Sequence, residues 1–367
     1  MKKTIHPKKI ISLAPGRTCL FGDHQDYLGL PVIACAVDRH VVLTAVLNNT
    51  KMFNINMPNI NKKRQISIDK KNIVFEAGDH FLSTLKVVLK YGAIIDKGYD
   101  ITIKSNIPIN AGASSSSAVV IAWLQFLIEA FGINKPITKE LISKIAYESE
   151  VLEHNSPGGK MDQYSIGMGN VIYLETGDEF SYEIINKPIN GLIIGESGVP
   201  KETIGLLEEL KTKAWEAINT VKNKIPNFDI KSTHINDLDT YIKLVPLELK
   251  PYLSAAIKNY HITINAFKEF KKQNLSFETI GDLMNQHHKI LKNELNITVP
   301  RIDNMIDAAL NAGALGAKIV GSGGGGSIVV LSKEGKEEEI IKAIKNAGGI
   351  NAYKVNVDSG ARILKEN

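Results

Sequence analysis

The pattern of apolar and polar positions divides the chain into a mixed first half and a helical second half. "VIACAVDRHVVLTAVL" (32–47) is rich in β-branched residues and predicts one or two sheet strands. "YDITIKSNIP" (99–108) alternates, placing Ile101, Ile103, Ser105 and Ile107 on one face, so a strand is expected to end near Pro108. A turn rich in glycine and serine follows. "SAVVIAWLQFLIEAFG" (117–132) is then apolar nearly all round and closed by Gly132, a helix that belongs in a core. "TKELISKIAYESEVLEH" (138–154) predicts another helix, with Thr138 as its N-cap. Further helices are expected over about 201–223, 238–271, 276–294 and 299–312. "AKIVGSGGGGSIVVLS" (317–332) reads as strand, glycine loop and strand; a helix in "GKEEEIIKAIKNAGG" and a strand in "AYKVNV" complete the pattern. No internal repeat is visible, and the quietest boundary lies near 185–200.

Length and composition narrow the class. At 367 residues the chain can bury a substantial core, in two domains or one large one. Hydrophobic residues make up 44% and charged residues 23%, ordinary proportions for a globular protein. The net charge of +5 is modest and the lysines are spread out, which indicates a solvated surface rather than a nucleic-acid partner. Cys19 and Cys35 form no C-x-x-C pair, so neither a disulfide framework nor a zinc site is implied. The basic opening lacks an apolar stretch of signal-peptide length, and no run reaches the roughly 18 apolar residues of a membrane span. The expectation is a cytoplasmic protein with no membrane partner.

Three segments carry candidate chemistry. In "NIPINAGASSSSAVV" (106–120) a strand ends, glycine permits an unusual turn, and serines lead into a buried helix. Outward-pointing N–H groups at a helix N-terminus make an anion site. Serine hydroxyls there add hydrogen bonds or a ligand for Mg²⁺. The alternative is a polar linker, yet linkers seldom join a regular strand directly to an apolar helix. The segment lacks the G-K-[ST] of a Walker loop. "GSGGGGS" (321–327) has linker composition, but its flanks are short apolar strands, so its glycines are expected to let backbone approach closely inside a folded domain. In "HNSPGGKMDQYSIGMGN" (154–170), Asp162 follows a helix bearing Glu148, Glu150 and Glu153. Such an aspartate is commonly a local cap. Beside a phosphate cradle it is also the proton acceptor that phosphoryl transfer needs.

Together these segments resemble the GHMP kinases, nearly end to end. "PGRTCLFGDHQDYLG" resembles the family's first motif in its galactokinase form, P-G-R-x-N-L-I-G-E-H-x-D-Y-N-G. "PINAGASSSSA" is similar to the second motif and "KIVGSGGGGSIV" to the third. "GGKMDQYS" and "LMNQHHKILKNELNITVPRID" (283–303) match further stretches of the galactokinase and mevalonate kinase branches. The resemblance implies an α+β, two-domain fold: an N-terminal domain like ribosomal protein S5 domain 2 over 1–190, and a ferredoxin-like C-terminal domain over 191–367. It implies ATP and Mg²⁺ as cofactors. Asp162 matches the catalytic carboxylate that accepts the hydroxyl proton, and Arg17 the cation that pairs with it and stabilises the transferring group. Gly112, Ala113, Ser114, Ser115, Ser116 and Ser117 match the cradle for the ATP phosphates, and Ser116 and Glu150 match the metal ligands. Asp23, His24, Asp26 and Tyr27 match positions that contact sugar hydroxyls, where an absent hydroxyl would leave buried groups unpaired.

Several positions depart from the family pattern. Asp23 stands where glutamate is usual, Cys19 where asparagine is common, and Ala113 where leucine is usual. The middle-domain tyrosine that contacts galactose in galactokinases has no clear match in "ESGVPKETIGLLEELK" (196–211). The implied reaction is transfer of the ATP γ-phosphoryl group to the anomeric hydroxyl of galactose or a related sugar, by a monomer or homodimer. Two rivals stand beside it. One is a kinase for a uronic acid, arabinose, N-acetylgalactosamine or mevalonate. An anionic acceptor would need an additional cation, which the sequence does not identify, and mevalonate kinases have lysine where Arg17 stands. The other is a non-catalytic sensor that binds ATP and sugar, which the full-length phosphate loop disfavours.

Overall fold

The computed structural model describes residues 6–69, 73–108, 112–200 and 204–365. Residues 109–111 of the expected glycine–serine turn and 201–203 of the expected 201–223 helix lie outside them. The β-branched run becomes one long strand, β2 (Val32–Leu47), which supports neighbours on both edges. β1 (Lys9–Phe21) pairs with it antiparallel along one edge. On the other edge, β6 (Val171–Glu175) pairs with its first residues and β5 (Tyr99–Ser105) with its last. β3 (Met52–Met57), β4 (Lys62–Ser67), β7 (Ser181–Ile185) and β12 (Arg362–Leu364) complete an eight-stranded sheet.

Helices cover one face of this sheet. α1 (His80–Lys90) and α3 (Lys139–Tyr147) flank α2 (Ser115–Phe131), which packs on β1 and β2. α2 is buried on nearly every side, as its continuous apolar run requires. Its Trp123 and Phe126 meet Phe53 of β3 edge-on, with ring centroids 5.4 and 5.9 Å away, and Tyr99 and Phe131 close the cluster. Such edge contacts fill volume without voids and set α2, and therefore its N-terminus, at a fixed height over the sheet.

The second sheet has four antiparallel strands in the order β11 (Asn351–Val355), β8 (Leu192–Glu196), β10 (Ser327–Ser332) and β9 (Ala314–Val320). α9 (Pro300–Asn311) and α10 (Glu337–Asn346) pack against it, while α8 (Phe277–Asn293) lies along β9 and contacts α7 (Lys250–Lys271). α4 (Met161–Met168) and α5 (Ile204–Lys224) bring the remaining walls of the site.

The α+β fold with two sheet-based halves is as expected, with three differences. The expected 238–271 helix is split into α6 (Leu238–Ile242), a 3₁₀ turn at Leu247–Leu249 and α7. Pro246 lies between them, and a proline within a helix removes a backbone bond and clashes with the preceding turn. The expected 138–154 helix ends as α-helix at Tyr147 and widens into a π-helical turn over Glu148–Leu152. The boundary at 190 does not divide the chain cleanly, because β12 returns to pair with β1 in the first sheet.

Candidate active site

The site begins with a defect in a strand. The β1–β2 register shifts between Pro15 and Gly16, and a Cβ at Gly16 would stand 3.1 Å from the Ala113 carbonyl. The bulge lets the 112–114 turn lie directly on the strand. The Arg17 N–H donates to that same carbonyl at 3.2 Å. Its guanidinium then divides its donors: Nη1 to the Gly112 carbonyl, and Nε and Nη2 to Oδ1 of Asp162, each at 2.7 Å. Asp162 stands in the first turn of α4, and its Oδ2 accepts the Ser114 hydroxyl at 2.6 Å. Arg17 is 5% exposed while Asp162 keeps 31% of its side chain open to the cleft. The cation is therefore held and the carboxylate remains approachable. Burial works against the charged guanidinium, but Asp162, with Cys19 and Asp23, offsets it and the net effect is to raise Arg17.

Ser114 explains the serine run. It caps α2 in the left-handed conformation (φ 54°) without a side-chain bond to the helix, because its hydroxyl is turned to Asp162. The backbone N–H groups of the first turn thus keep their capacity for an anion. Gly112 (φ +79°) lies so near the second half that a Cβ would stand 2.8 Å from the Val320 carbonyl. The loop after Val320 is a fixed support and no linker: Gly324 N–H donates to Ile297 O at 2.8 Å and Gly326 N–H to Val199 O at 2.9 Å. Ser116 is exposed at the first turn of α2, and it and Ser117 lie close enough to Glu150 to favour its ionised form, while Glu150 accepts Nε2 of Gln163 at 2.7 Å. The π-helical turn presents Glu150 to this point. Burial pushes its carboxyl up. One carboxylate and a hydroxyl beside a phosphate cradle fit Mg²⁺, which keeps waters and phosphate oxygens in the rest of its shell.

Arg17, Asp162, Ser116, Ser117 and Glu150 line a single cleft of about 1220 Å³, and the same cleft reaches Asp23, His24, Asp26 and Tyr27. These last four do not stand alike. Asp26 is part-buried, and burial together with the Asp162 charge pushes its carboxyl up to about 6. His24, forced to φ 63°, meets the Tyr27 hydroxyl through Nδ1 at 3.2 Å and leaves a buried Nε2 without a partner among the described residues. Burial lowers this imidazole to about 4, so it is neutral and can exchange hydrogen bonds with a hydroxyl. Asp23 departs from the expectation of a free sugar ligand: Oδ2 pairs with Lys318 at 2.5 Å and Oδ1 accepts Gly321 N–H at 3.0 Å.

Two residues on α5 also line the cleft and went unnoticed in the sequence. Trp215 donates its indole N–H to the Tyr27 carbonyl at 3.3 Å, and Lys211 reaches the Pro157 carbonyl at 3.3 Å. The signal that could have found them is their i, i+4 spacing on the helix face beside the stripe of Leu210, Ala214 and Ala217, which are buried. A second hollow of about 550 Å³ lies between the 58–59 turn and the end of β5, lined by His40, Val42, Asn59, Lys104, Ser105 and Asn106.

Comparison with known proteins places this arrangement. A model described as "GHMP kinases N terminal domain" matches residues 72–170, one described as "GHMP kinases C terminal" matches 266–350, and a "Galactokinase galactose-binding signature" matches 2–46. The chain belongs to the GHMP kinase family. Members of this family are phosphotransferases. This GHMP kinase is 29% identical over 350 residues to the mevalonate kinase of Pyrococcus furiosus, with 93% of this chain and 94% of the relative covered. It is 28% identical over 375 residues to the galactokinase of Clostridium perfringens, with 95% and 93% covered. In fold it is similar to Lactococcus lactis galactokinase complexed with galactose, with a TM-score of 0.84, 22% identity and 97% of this chain and 95% of that chain covered. For the Methanococcus jannaschii mevalonate kinase the TM-score is 0.69, at 22% identity and with 97% and 99% covered.

Proposed function

We propose that this GHMP kinase transfers the γ-phosphoryl group of ATP to a sugar, at the anomeric hydroxyl of galactose. The observation that carries the reading is the placement of Asp162, whose two oxygens are shared between Arg17 and the phosphate-loop Ser114 while its side chain stays open to the cleft. A carboxylate so placed accepts the proton of an acceptor hydroxyl as that oxygen attacks phosphorus. Arg17 holds the carboxylate's orientation and, by donating Nη1 to the Gly112 carbonyl, keeps the phosphate turn in register with it. The transition state is loose, so positioning and charge neutralisation supply most of the rate. Ser116 and Glu150 would hold Mg²⁺, which supplies charge neutralisation on the nucleotide phosphates.

The acceptor reading is supported by the galactose-binding signature over 2–46, which includes Arg17, His24, Asp26 and Tyr27. A neutral polyol suits a carboxylate and a neutral imidazole. Mevalonate is the second reading. It is favoured by relatives of that name and by Lys211, a cleft-lining ammonium that donates to the Pro157 carbonyl and pairs with no carboxylate among the described residues. A panel of sugars and mevalonate with Mg²⁺-ATP separates the readings: galactose-dependent ADP release is expected, with the phosphate on the anomeric oxygen by NMR. Mevalonate-dependent release with galactose silent would overturn the acceptor. No acceptor-dependent ADP at all would leave the sensor.

Asp26 gives a pH signature. Its carboxyl is raised to about 6, so the ionised form that accepts sugar hydroxyls is present above that pH and lost below it. The acceptor KM is expected to rise several-fold from pH 7 to 5. Asp26→Asn should raise it at every pH and flatten the dependence; an unchanged slope in that variant would remove Asp26 from the site.

A further inference from the structure

The Asp23–Lys318 pair is not used by the mechanism above, and it joins the two halves of the molecule. Lys318 lies on β9 of the second sheet and is fully buried. Its three ammonium protons are directed to the Asp23 carboxylate at 2.5 Å, the Cys19 carbonyl at 3.1 Å and the Ile319 carbonyl at 2.8 Å. Cys19 and Asp23 belong to the end of β1 and the loop after it, so one ammonium ties the first motif to the third. The carboxylate completes the tie, since its other oxygen accepts the N–H of Gly321, the first residue of the glycine loop. That residue lies against the phosphate turn: a Cβ on Gly321 would stand 3.4 Å from the Gly112 Cα. Gly112 in turn offers its carbonyl to Arg17.

A continuous path therefore runs from Lys318 through Asp23 and the Gly321 backbone to Gly112, Arg17 and Asp162. Its hydrogen-bonded steps are made by the buried side chains of Lys318, Asp23 and Arg17. Between Gly321 and Gly112 it crosses where there is no room for a side chain, so a shift at its origin is passed on to the phosphate turn. Asp23 is one methylene shorter than the glutamate usual at this position in the resembling family, and the shorter arm stays with the buried ammonium.

We infer that Asp23 and Lys318 are positioning residues that fix the glycine loop against the phosphate turn, and that Asp23 is not a ligand of the acceptor. The inference rests on the kinase reading proposed above. Breaking the pair then weakens nucleotide binding and turnover and leaves the acceptor KM alone. A sugar ligand at Asp23 would give the reverse.

Asp23→Asn and the double variant Asp23→Asn/Lys318→Met are compared with the wild type, the double variant because it leaves no unpaired charge buried. The readouts are the KM for ATP, the KM for galactose, and the thermal shift given by a Mg²⁺-bound non-hydrolysable ATP analogue. The expected result is a rise of tenfold or more in the ATP KM for Asp23→Asn, a galactose KM within threefold, and a double variant no worse than the single one. A galactose KM raised tenfold with the ATP KM unchanged would overturn the inference and restore Asp23 to the sugar site. Should Asp23→Asn fail to fold, the double variant decides alone: a nucleotide-induced shift equal to wild type overturns the proposal. Failure of the kinase reading shows separately, as a wild type that gives no nucleotide-induced shift and no acceptor-dependent ADP.

Discussion

Asp162→Asn is expected to lower kcat by about 10³-fold, close to 4 kcal/mol of barrier, with ATP affinity within about threefold of wild type. The carboxamide has nearly the same shape. Its oxygen can still accept Nε and Nη2 of Arg17, and the Ser114 hydroxyl can reverse its role and accept from the new NH₂ where it now donates to Oδ2. The phosphate turn is held by Arg17 on the Gly112 carbonyl and by Gly112 against Val320, neither of which passes through the Asp162 charge. What the substitution removes is the capacity to take a proton from the attacking hydroxyl. Initial rates at saturating ATP and acceptor, beside titration with a non-hydrolysable ATP analogue, separate these terms. A variant that kept a tenth of wild-type turnover would exclude Asp162 as the proton acceptor.

The parts of the site carried by backbone-dictating residues were readable from the sequence. A strand, a glycine and a serine run before an all-apolar helix can fold in few ways, and the structure places Gly112 to Ser117 at that junction. The glycine loop was readable from its apolar flanks. Side-chain partnerships formed at long range were not. Nothing local in "GDHQDY" shows that Asp23 meets Lys318, 295 positions later, while Asp26, three residues on, faces the cleft. The same limit hid Trp215 and Lys211, whose helix has an ordinary amphipathic pattern and becomes a cleft wall through packing on Leu28 and Leu30. The short β12 escaped for a different reason: three residues carry too little alternation to read, and the strand exists because β1 offers an edge.

Two buried histidines near the Asp23–Lys318 pair differ in what they face. His287, fully buried beside the Asp23–Lys318 pair and lowered to about 3 by burial, stacks on Phe21 at 6.3 Å between centroids. His24 differs in lining the cleft, whereas His287, whose two ring nitrogens are likewise without a hydrogen-bond partner among the described residues, does not. Neither burial nor an unpartnered nitrogen therefore marks a functional histidine by itself; the place on the cleft wall is what separates His24 from His287.

Arg17→Lys is the substitution that separates charge from geometry. Arginine reaches Asp162 through Nε and Nη2 and the Gly112 carbonyl through Nη1 at the same time. A lysine carries one compact ammonium and cannot hold both partners in that planar fork. The expected result is a fall in kcat of about 10²-fold together with a raised ATP KM, since the Gly112 carbonyl loses its donor and the phosphate turn its register. The melting temperature is expected to change by only a few degrees, because one positive charge still faces the carboxylate. Both kinetic effects must appear: a loss in kcat with ATP KM unchanged would mean that the bond to Gly112 has no part in holding the turn. A fully active Arg17→Lys would go further, because lysine stands at this position in the resembling mevalonate kinases. It would show that this site needs only a point charge, and it would transfer the weight of the acceptor assignment from galactose towards the anionic alternative that Lys211 could receive.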